Sequence, residues 1–309
     1  MKKNKTFWKE KNVLITGAAG FVGSNLSKNL SSQGAKVVGL VQSKRKESLL
    51  FYEKIDKKIN LVFGDINDRA LLKKILIKFK IEVCFHLAAQ VEVGLAKQDP
   101  FGTWETNVRG TYSLLETIRE NKKNIKSVIV ASSDKAYGEH GIEKMPYQEN
   151  YNLQPIFPYD TSKACADMIA KSYTSKLFNL PVIISRFSNI YGPGQLNFTA
   201  LIPDAIVSCI KNKRLTLRGD GEAIRDFIHV DDIVDVYKLL GEKLYLFPKK
   251  YSGEIFNAGT NSPKKIKDVV KTIYHYKKKY TEFKKTIKNI KKNKTSGEIS
   301  VQFMDFKKL

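Results

Sequence analysis

Over its first half the chain alternates short apolar, β-branched runs with longer amphipathic stretches. The runs are Val13 to Thr16, Lys36 to Val41, Asn60 to Phe63, Val83 to Leu87, Val128 to Ser132 and Val182 to Ser185. Between them, Ser24 to Gln33, Arg69 to Phe79, Thr103 to Glu120 and Asp160 to Leu177 carry apolar residues at helical spacing, which predicts helices. Parallel neighbours need crossover connections, and helical crossovers cover the faces of the sheet. The expected fold is therefore α/β: a Rossmann-type doubly wound parallel sheet with a smaller C-terminal α/β substrate-binding part. After about residue 186 the periodicity loosens into loops such as YGPGQ and RGDGEAIRDF. The expected division is 1–185 for the dinucleotide-binding part and 186–309 mainly for substrate, with a segment near 226–258 returning to the first. A length of 309 residues with 42% hydrophobic content supplies enough apolar material for about two domains.

The first apolar run leads into TGAAGFVG, so Gly17, Gly20 and Gly23 fall between a strand and a helix. A turn without side chains lets backbone amides and a helix N-terminus approach a pyrophosphate, which makes this the expected dinucleotide site. At the end of the second strand, where a carboxylate usually binds the adenosine ribose and favours NAD, the chain reads Gln42, Ser43, Lys44, Arg45. NAD is the expected cofactor and NADP stays open, because Lys44 and Arg45 either attract a 2′-phosphate or simply point into solvent. Asp65, in FGDIND, is expected at the adenine edge with Ile66 against the ring.

Tyr159 and Lys163 lie four apart in YDTSK, so one helical face presents both. A tyrosine with an ordinary pKa of about 10 needs roughly 4 kcal/mol of phenolate stabilisation to act as a base near neutrality. Lys163 and a positively charged nicotinamide are expected to supply it. The strand end ASSDKAYG brings Ser133 to share a proton with Tyr159, and sets an acid, Asp134, and a base, Lys135, at the carboxyl edge of the sheet. Taken alone, a Tyr/Lys pair at this spacing and a charged dipeptide are ordinary surface features; the glycine turn upstream gives them meaning.

A net charge of +23 raises the question of a polyanionic partner. The lysines are spread along the whole chain, so a solvated basic surface is expected, with no specific nucleic acid partner. The stretch Lys264 to Lys294 is densest in lysine, and its Tyr274, Tyr276, Tyr280 and Phe283 are expected to form the buried face of helices. Cys84, Cys165 and Cys209 are far apart, with no CxxC, which suggests reduced thiols, no metal site and a cytoplasmic protein. Neither a signal peptide nor a membrane span is expected from MKKNKTFWKEKNVLITGAAG.

Read in order, TGAAGFVG, GDIND, FHLAAQ, ETNVRGT, SSDKAYG, YDTSK, RFSNIYGPG and RDFIHVDD resemble the extended short-chain dehydrogenase/reductase family. Within it the chain is most similar to nucleotide-sugar 4,6-dehydratases, the CDP-glucose group above all, chiefly through Asp134, Lys135 and the opening FWKEKNVLITG. The resemblance implies a cofactor path along Gly17, Gly20, Phe21, Val22, Gly23, Ser43, Asp65, Ile66, Leu87, Ala88 and Ala89, beside Tyr159 and Lys163. It implies that Asn107 steadies the central strands. The substrate, a nucleotide-linked sugar, would meet Gln90 and Asn189, with Arg225 gripping the diphosphate and Arg218 a helper. A guanidinium fork suits phosphate oxygens.

The implied reaction oxidises C4 through Tyr159, Ser133 and Lys163, eliminates water across C5 and C6 with Lys135 or a nearby base taking the C5 proton and Asp134 as acid, and returns the hydride to C6. A homodimer through the helices carrying Thr111 and Tyr159 is expected on the same ground. Relatives continue past a QFMDFKKL-like segment into a further helix, so either the chain or its small part is expected to be shortened at Leu309. Two other readings compete. A 4-epimerase shares Tyr159, Lys163 and Ser133 but has no use for an elimination acid and base. An inactive scaffold with a basic tail has no use for the whole set.

Overall fold

The structure, a computed structural model, describes residues 7–217, 219–288 and 299–309. Arg218 and residues 289–294 of the lysine-rich stretch lie outside the described residues. The strands are β1 (Asn12–Thr16), β2 (Lys36–Val41), β3 (Asn60–Phe63), β4 (Val83–His86), β5 (Ser127–Ala131), β6 (Val182–Phe187), β7 (Asn189–Tyr191), β8 (Ile224–Arg225), β9 (Phe227–His229), β10 (Ile255–Ala258), β11 (Lys264–Lys265) and β12 (Val301–Gln302). Seven of them form the main sheet in the order β10-β6-β5-β4-β1-β2-β3. Every pairing in it is parallel. The Rossmann-type doubly wound sheet read from the sequence is therefore the observed architecture.

The strands alternate apolar residues to two covered faces, as a sheet buried on both sides requires. Val13 and Ile15 of β1 join a core with Leu26 and Leu30 of helix α1 (Phe21–Ser32) and with Tyr237 and Leu240 farther along the chain. Leu14, between them, faces a second core with Leu72 of α2 (Arg69–Lys78) and with Leu114 and Ile118 of α3 (Gly110–Glu120). Helix α4 (Pro158–Ser172) packs beside α3 and delivers YDTSK in its first two turns. Strand order reverses between β1 and β4, and ligands in open α/β sheets bind at the carboxyl ends near such a switch.

Beyond β6 the chain builds a smaller region and twice returns. Helix α5 (Leu201–Lys211) packs on α7 (Ile266–Tyr276) around Ala205, Cys209, Val270 and Tyr274. Strands β11, β8 and β12 form a three-stranded sheet. Between these pieces, α6 (Val230–Leu246) supplies Val234 and Tyr237 to the first core, and β10 pairs with β6, so residues 230–258 belong with the main sheet.

Several local expectations change. Helix α1 starts at Phe21, three residues earlier than Ser24, because Gly20 serves as its N-cap. Helix α4 ends at Ser172 and not at Leu177; Ser172 Oγ and Thr174 Oγ1 bond back to Ile169 O and Lys171 O, each at 2.7 Å, and compete with continued helix. The expected Thr103 helix begins at Pro100 and reaches α3 through a π-turn at Glu105–Arg109. Of the aromatics in the lysine-rich stretch, Tyr274 is buried, but Tyr276 is 85% exposed. Two residues at roughly 100° each turn it to the opposite side of the helix.

Candidate active site

At the carboxyl end of β1 the backbone turns with Gly17 at φ +71°, a region closed to most side chains. A Cβ on Gly17 would lie 2.9 Å from the Ala88 backbone, and one on Gly23 would lie 2.2 Å from Gly17 O. The turn is fixed by Gly20 N donating to Gly17 O at 2.9 Å. No side chain caps the first amides of α1, so they stay open to a phosphate, and Phe21 and Val22 are half-buried on that first turn. A pyrophosphate fits this cradle.

At the β2 end, Gln42, Ser43, Lys44 and Arg45 are all exposed. Gln42 Nε2 donates to Asp65 Oδ2 at 3.4 Å, while Asp65 Oδ1 accepts from Asn67 N at 2.7 Å. Asp65 thus borders the β2 end. Ile66 is buried, and its Cγ2 would stand 2.8 Å from a Cβ on Gly110.

Across the turn, Leu87 N and Ala88 N both donate to Thr16 Oγ1 at 3.1 Å. Thr16 Oγ1 is paired with His86 Nδ1 at 2.9 Å, and His86 Nε2 with Thr111 Oγ1 at 3.0 Å. Because Thr111 Oγ1 spends its proton on Asn107 O at 2.6 Å, it accepts from the imidazole. His86 therefore carries its proton on Nε2 and is neutral. Burial, with the Lys163 charge adding to it, pushes its pKa down to about 3.

Asn107, on the π-turn, continues the chain: Oδ1 accepts from Gln90 N at 2.8 Å, and Nδ2 donates to Gln90 O at 2.9 Å and to Ser162 Oγ at 2.8 Å. Ser162 Oγ in turn donates to Tyr159 O at 2.7 Å. Asn107 ties the loop after β4, with Ala89 and Gln90, to the helix of Tyr159. Neither His86, Thr16 nor Ser162 was singled out in the sequence, although a histidine and a threonine inside apolar strands were a readable signal.

The redox and elimination candidates meet at the end of β5. Tyr159 is buried and hydrogen-bonded to Ser133. Burial and the nearby Asp134 charge push its phenol above the ordinary range, and the Ser133 hydrogen bond offsets part of this. Lys163 by itself does not offset this, so the expected depression falls to the positively charged nicotinamide that would stand beside the phenol when the cofactor is bound. The Lys163 ammonium donates to Ala131 O, and burial lowers its pKa to about 8.

Ser133 Oγ donates to Asp134 Oδ1 at 3.0 Å and accepts from Lys135 N at 3.2 Å. Asp134 is 3% exposed, and its Oδ2 has no hydrogen-bond partner among the described residues. Burial pushes its carboxyl pKa up against the lowering effect of Lys135. Asp160, which has no motif signature of its own in the sequence, adds a second buried carboxyl next to Tyr159, raised by burial to about 6. Lys135 donates to Gln302, a residue from the far end of the chain that no local pattern announced.

The expected substrate residues divide. Gln90 is half-buried at the mouth of the β4 loop, and its Nε2 reaches Thr103 Oγ1 at 3.0 Å. Asn189 begins β7 and donates to Asp226 O at 3.1 Å. Arg225 is only 6% exposed and spends its guanidinium on backbone, at Ile224 O (2.8 Å) and Ile299 O (2.6 Å). The fork expected at a diphosphate is here turned inward by the packing of residues 299–302 beside β8. Arg218 lies outside the described residues.

A glycine turn at the switch of a parallel sheet, with a Tyr/Lys helix facing a serine-bearing strand end, defines an extended short-chain dehydrogenase/reductase. The family model described as GDP-mannose 4,6 dehydratase matches residues 14–309. The chain belongs to this family. It is 33% identical over 258 residues to a CDP-glucose 4,6-dehydratase of Salmonella typhimurium, covering 81% of this chain and 71% of that one. To a dTDP-D-glucose 4,6-dehydratase of Dictyostelium discoideum it is 34% identical over 274 residues, 84% of this chain and 61% of the relative's length. Among solved structures, a dTDP-glucose 4,6-dehydratase of Bacillus anthracis in complex with NAD superposes with a TM-score of 0.81 at 30% identity, covering 96% of this chain and 88% of that one. A UDP-glucose 4-epimerase of Thermotoga maritima with UDP-glucose does so equally, TM-score 0.81 at 26% identity, covering 96% and 90%.

Proposed function

We propose that the protein is a nucleotide-sugar 4,6-dehydratase with NAD as an internally recycled cofactor. The observation that carries the reading is Asp134: a buried carboxyl with a raised pKa and one oxygen without a hydrogen-bond partner among the described residues, hydrogen-bonded to the serine that also holds Tyr159. A buried carboxyl whose pKa is raised by desolvation holds its proton more readily than an exposed one, which suits it to deliver that proton to a leaving hydroxyl. A 4-epimerase needs no such acid. The turn of Gly17, Gly20 and Gly23 would hold the pyrophosphate, with Phe21, Val22, Leu87, Ala88 and Ala89 along the cofactor and Ser43, Asp65 and Ile66 near its adenosine end. When bound, NAD accepts and later returns a hydride.

Tyr159, hydrogen-bonded to Ser133 and followed one turn later by Lys163, takes the O4 proton as the phenolate, a form that the positive charge of a bound nicotinamide would favour against the effect of burial, while the C4 hydrogen leaves as hydride. The resulting 4-ketone acidifies C5. Lys135 takes the C5 proton once its ammonium has given one up, Asp134 gives its proton to O6, and the C6–O bond breaks to release water. Hydride then returns to C6 and a proton to C5, which leaves a 4-keto-6-deoxy sugar with no net oxidation.

Gln90 and Asn189 are proposed to meet the sugar nucleotide. A CDP-linked glucose is favoured, supported by the Asp134–Lys135 pair and the Salmonella relative. Exposed Phe101, Trp104 and Tyr112, with Met168 on α4, offer an apolar face for a homodimer. A cytoplasmic location is proposed on the three free cysteines. No helix among the described residues is long and apolar enough to cross a membrane.

The test is incubation with CDP-glucose, dTDP-glucose, GDP-mannose and UDP-N-acetylglucosamine in deuterated water. A 4-keto-6-deoxy product carrying solvent deuterium at C5 is expected from one of them. A C4 epimer without C5 exchange would assign the epimerase reading instead.

A further inference from the structure

We infer that Gln302, on the C-terminal strand β12, is a positioning residue that holds Lys135 in register for proton transfer at C5. The inference rests on the dehydratase reading and assigns a role to a part of the chain that carries none of the expected site residues.

Lys135 sits half-buried on the short 3₁₀ turn Asp134–Tyr137, and its ammonium donates to Gln302 Oε1. A lysine on a flexible four-carbon stem samples many positions, so a base that must meet one carbon needs an anchor. Gln302 is fully buried, and its side chain cannot swing away. With Oε1 engaged by the ammonium, the same amide lies against the Tyr147 phenol, which fixes the glutamine from a second side.

The strand itself is stitched from two sides. Gln302 pairs with Arg225 in the parallel ladder of β12 on β8, and Ile224 N donates to Ser300 O at 2.9 Å. The Arg225 guanidinium grips Ile299 O at 2.6 Å. On the other side Tyr147 N donates to Phe303 O at 2.9 Å, Asp305 N donates to Tyr147 O at 3.0 Å, and Met304 is buried with Tyr137 and Tyr147. Arg225 thus serves the site through the segment it clamps. The charged and titratable groups around Lys135 are Asp134 on its own turn, Asp160 at the start of α4, Tyr147 beside the glutamine, and Arg225, whose charge acts on Asp134 and Tyr147.

Two substitutions in the full-length protein push Lys135 in opposite directions. Gln302→Glu places an anion against the ammonium and favours it; Gln302→Met keeps the bulk and removes the acceptor. C5 exchange would be followed against pH in deuterated water with CDP-glucose and dTDP-glucose, beside the single-turnover reduction of the nicotinamide. Exchange requires the neutral amine, so its midpoint should rise by about one pH unit in Gln302→Glu and fall in Gln302→Met. At neutral pH the glutamate variant should exchange about tenfold more slowly, with nicotinamide reduction and melting temperature little changed. Midpoints equal to the wild type in both variants, or equal losses in reduction and exchange, would overturn the assignment. A wild type that reduces its cofactor yet never exchanges C5 would remove the dehydratase reading itself.

Discussion

Ser133 Oγ donates to Asp134 Oδ1 at 3.0 Å while the same side chain hydrogen-bonds the Tyr159 phenol. One serine therefore connects the group proposed to take the O4 proton with the group proposed to deliver a proton to O6. Oxidation and elimination share a hydrogen-bonded unit, so a change in the protonation of Asp134 is felt at Tyr159, whose phenol its charge pushes up.

Removal of the phenol separates binding from chemistry. Tyr159→Phe should lower turnover by about 10² to 10⁴, the range for a positioned acid or base, while nicotinamide still binds. Turnover together with co-purified cofactor decides this, and wild-type turnover in the variant would take Tyr159 out of the reaction.

Asp134→Asn should leave C4 oxidation running and stall elimination, again by about 10² to 10⁴. The expected signature is accumulated nicotinamide absorbance under single-turnover conditions. An equal loss of oxidation and elimination would mean that Asp134 acts only through Tyr159.

The cofactor turn leaves no room for a methyl group. Gly23→Ala would set a Cβ 2.2 Å from Gly17 O. The expected result is loss of co-purified nicotinamide and a stability cost of about 1–3 kcal/mol, read by chemical denaturation. Full cofactor retention would show that the turn relaxes.

His86 makes stability depend on pH. Its pKa is lowered from 6.5 to about 3 by burial and by Lys163, so the unfolded chain takes up a proton that the folded chain refuses. The stabilisation is complete above about pH 6.5 and is lost as pH falls toward 3, at roughly 1.4 kcal/mol per pH unit. Denaturation curves between pH 7 and pH 4 should be shallower in this dependence for His86→Gln. Identical slopes would place the pH sensitivity elsewhere.

What the sequence made legible is what neighbours in sequence determine. The β1–glycine turn–α1 unit and the YDTSK face depend on residues a turn or two apart, so periodicity and spacing exposed them. The pair Lys135 and Gln302 spans 167 positions and has no local signature. Arg225 was read by its chemistry, a fork suited to phosphate, whereas its burial beneath residues 299–302 is a matter of packing. The electrostatics of Tyr159 are only half legible for a similar reason: Lys163 at i+4 is visible, but the desolvation of the phenol and the approach of Asp134 depend on how β5 meets α4.

Internal return of the hydride is the central claim, and a sugar nucleotide deuterated at C4 tests it most directly. With CDP-glucose and dTDP-glucose so labelled, the product is expected to be a 4-keto-6-deoxy sugar with the deuterium at C6 of the same molecule. Deuterium recovered at C4, in unchanged substrate or in its epimer, would contradict it.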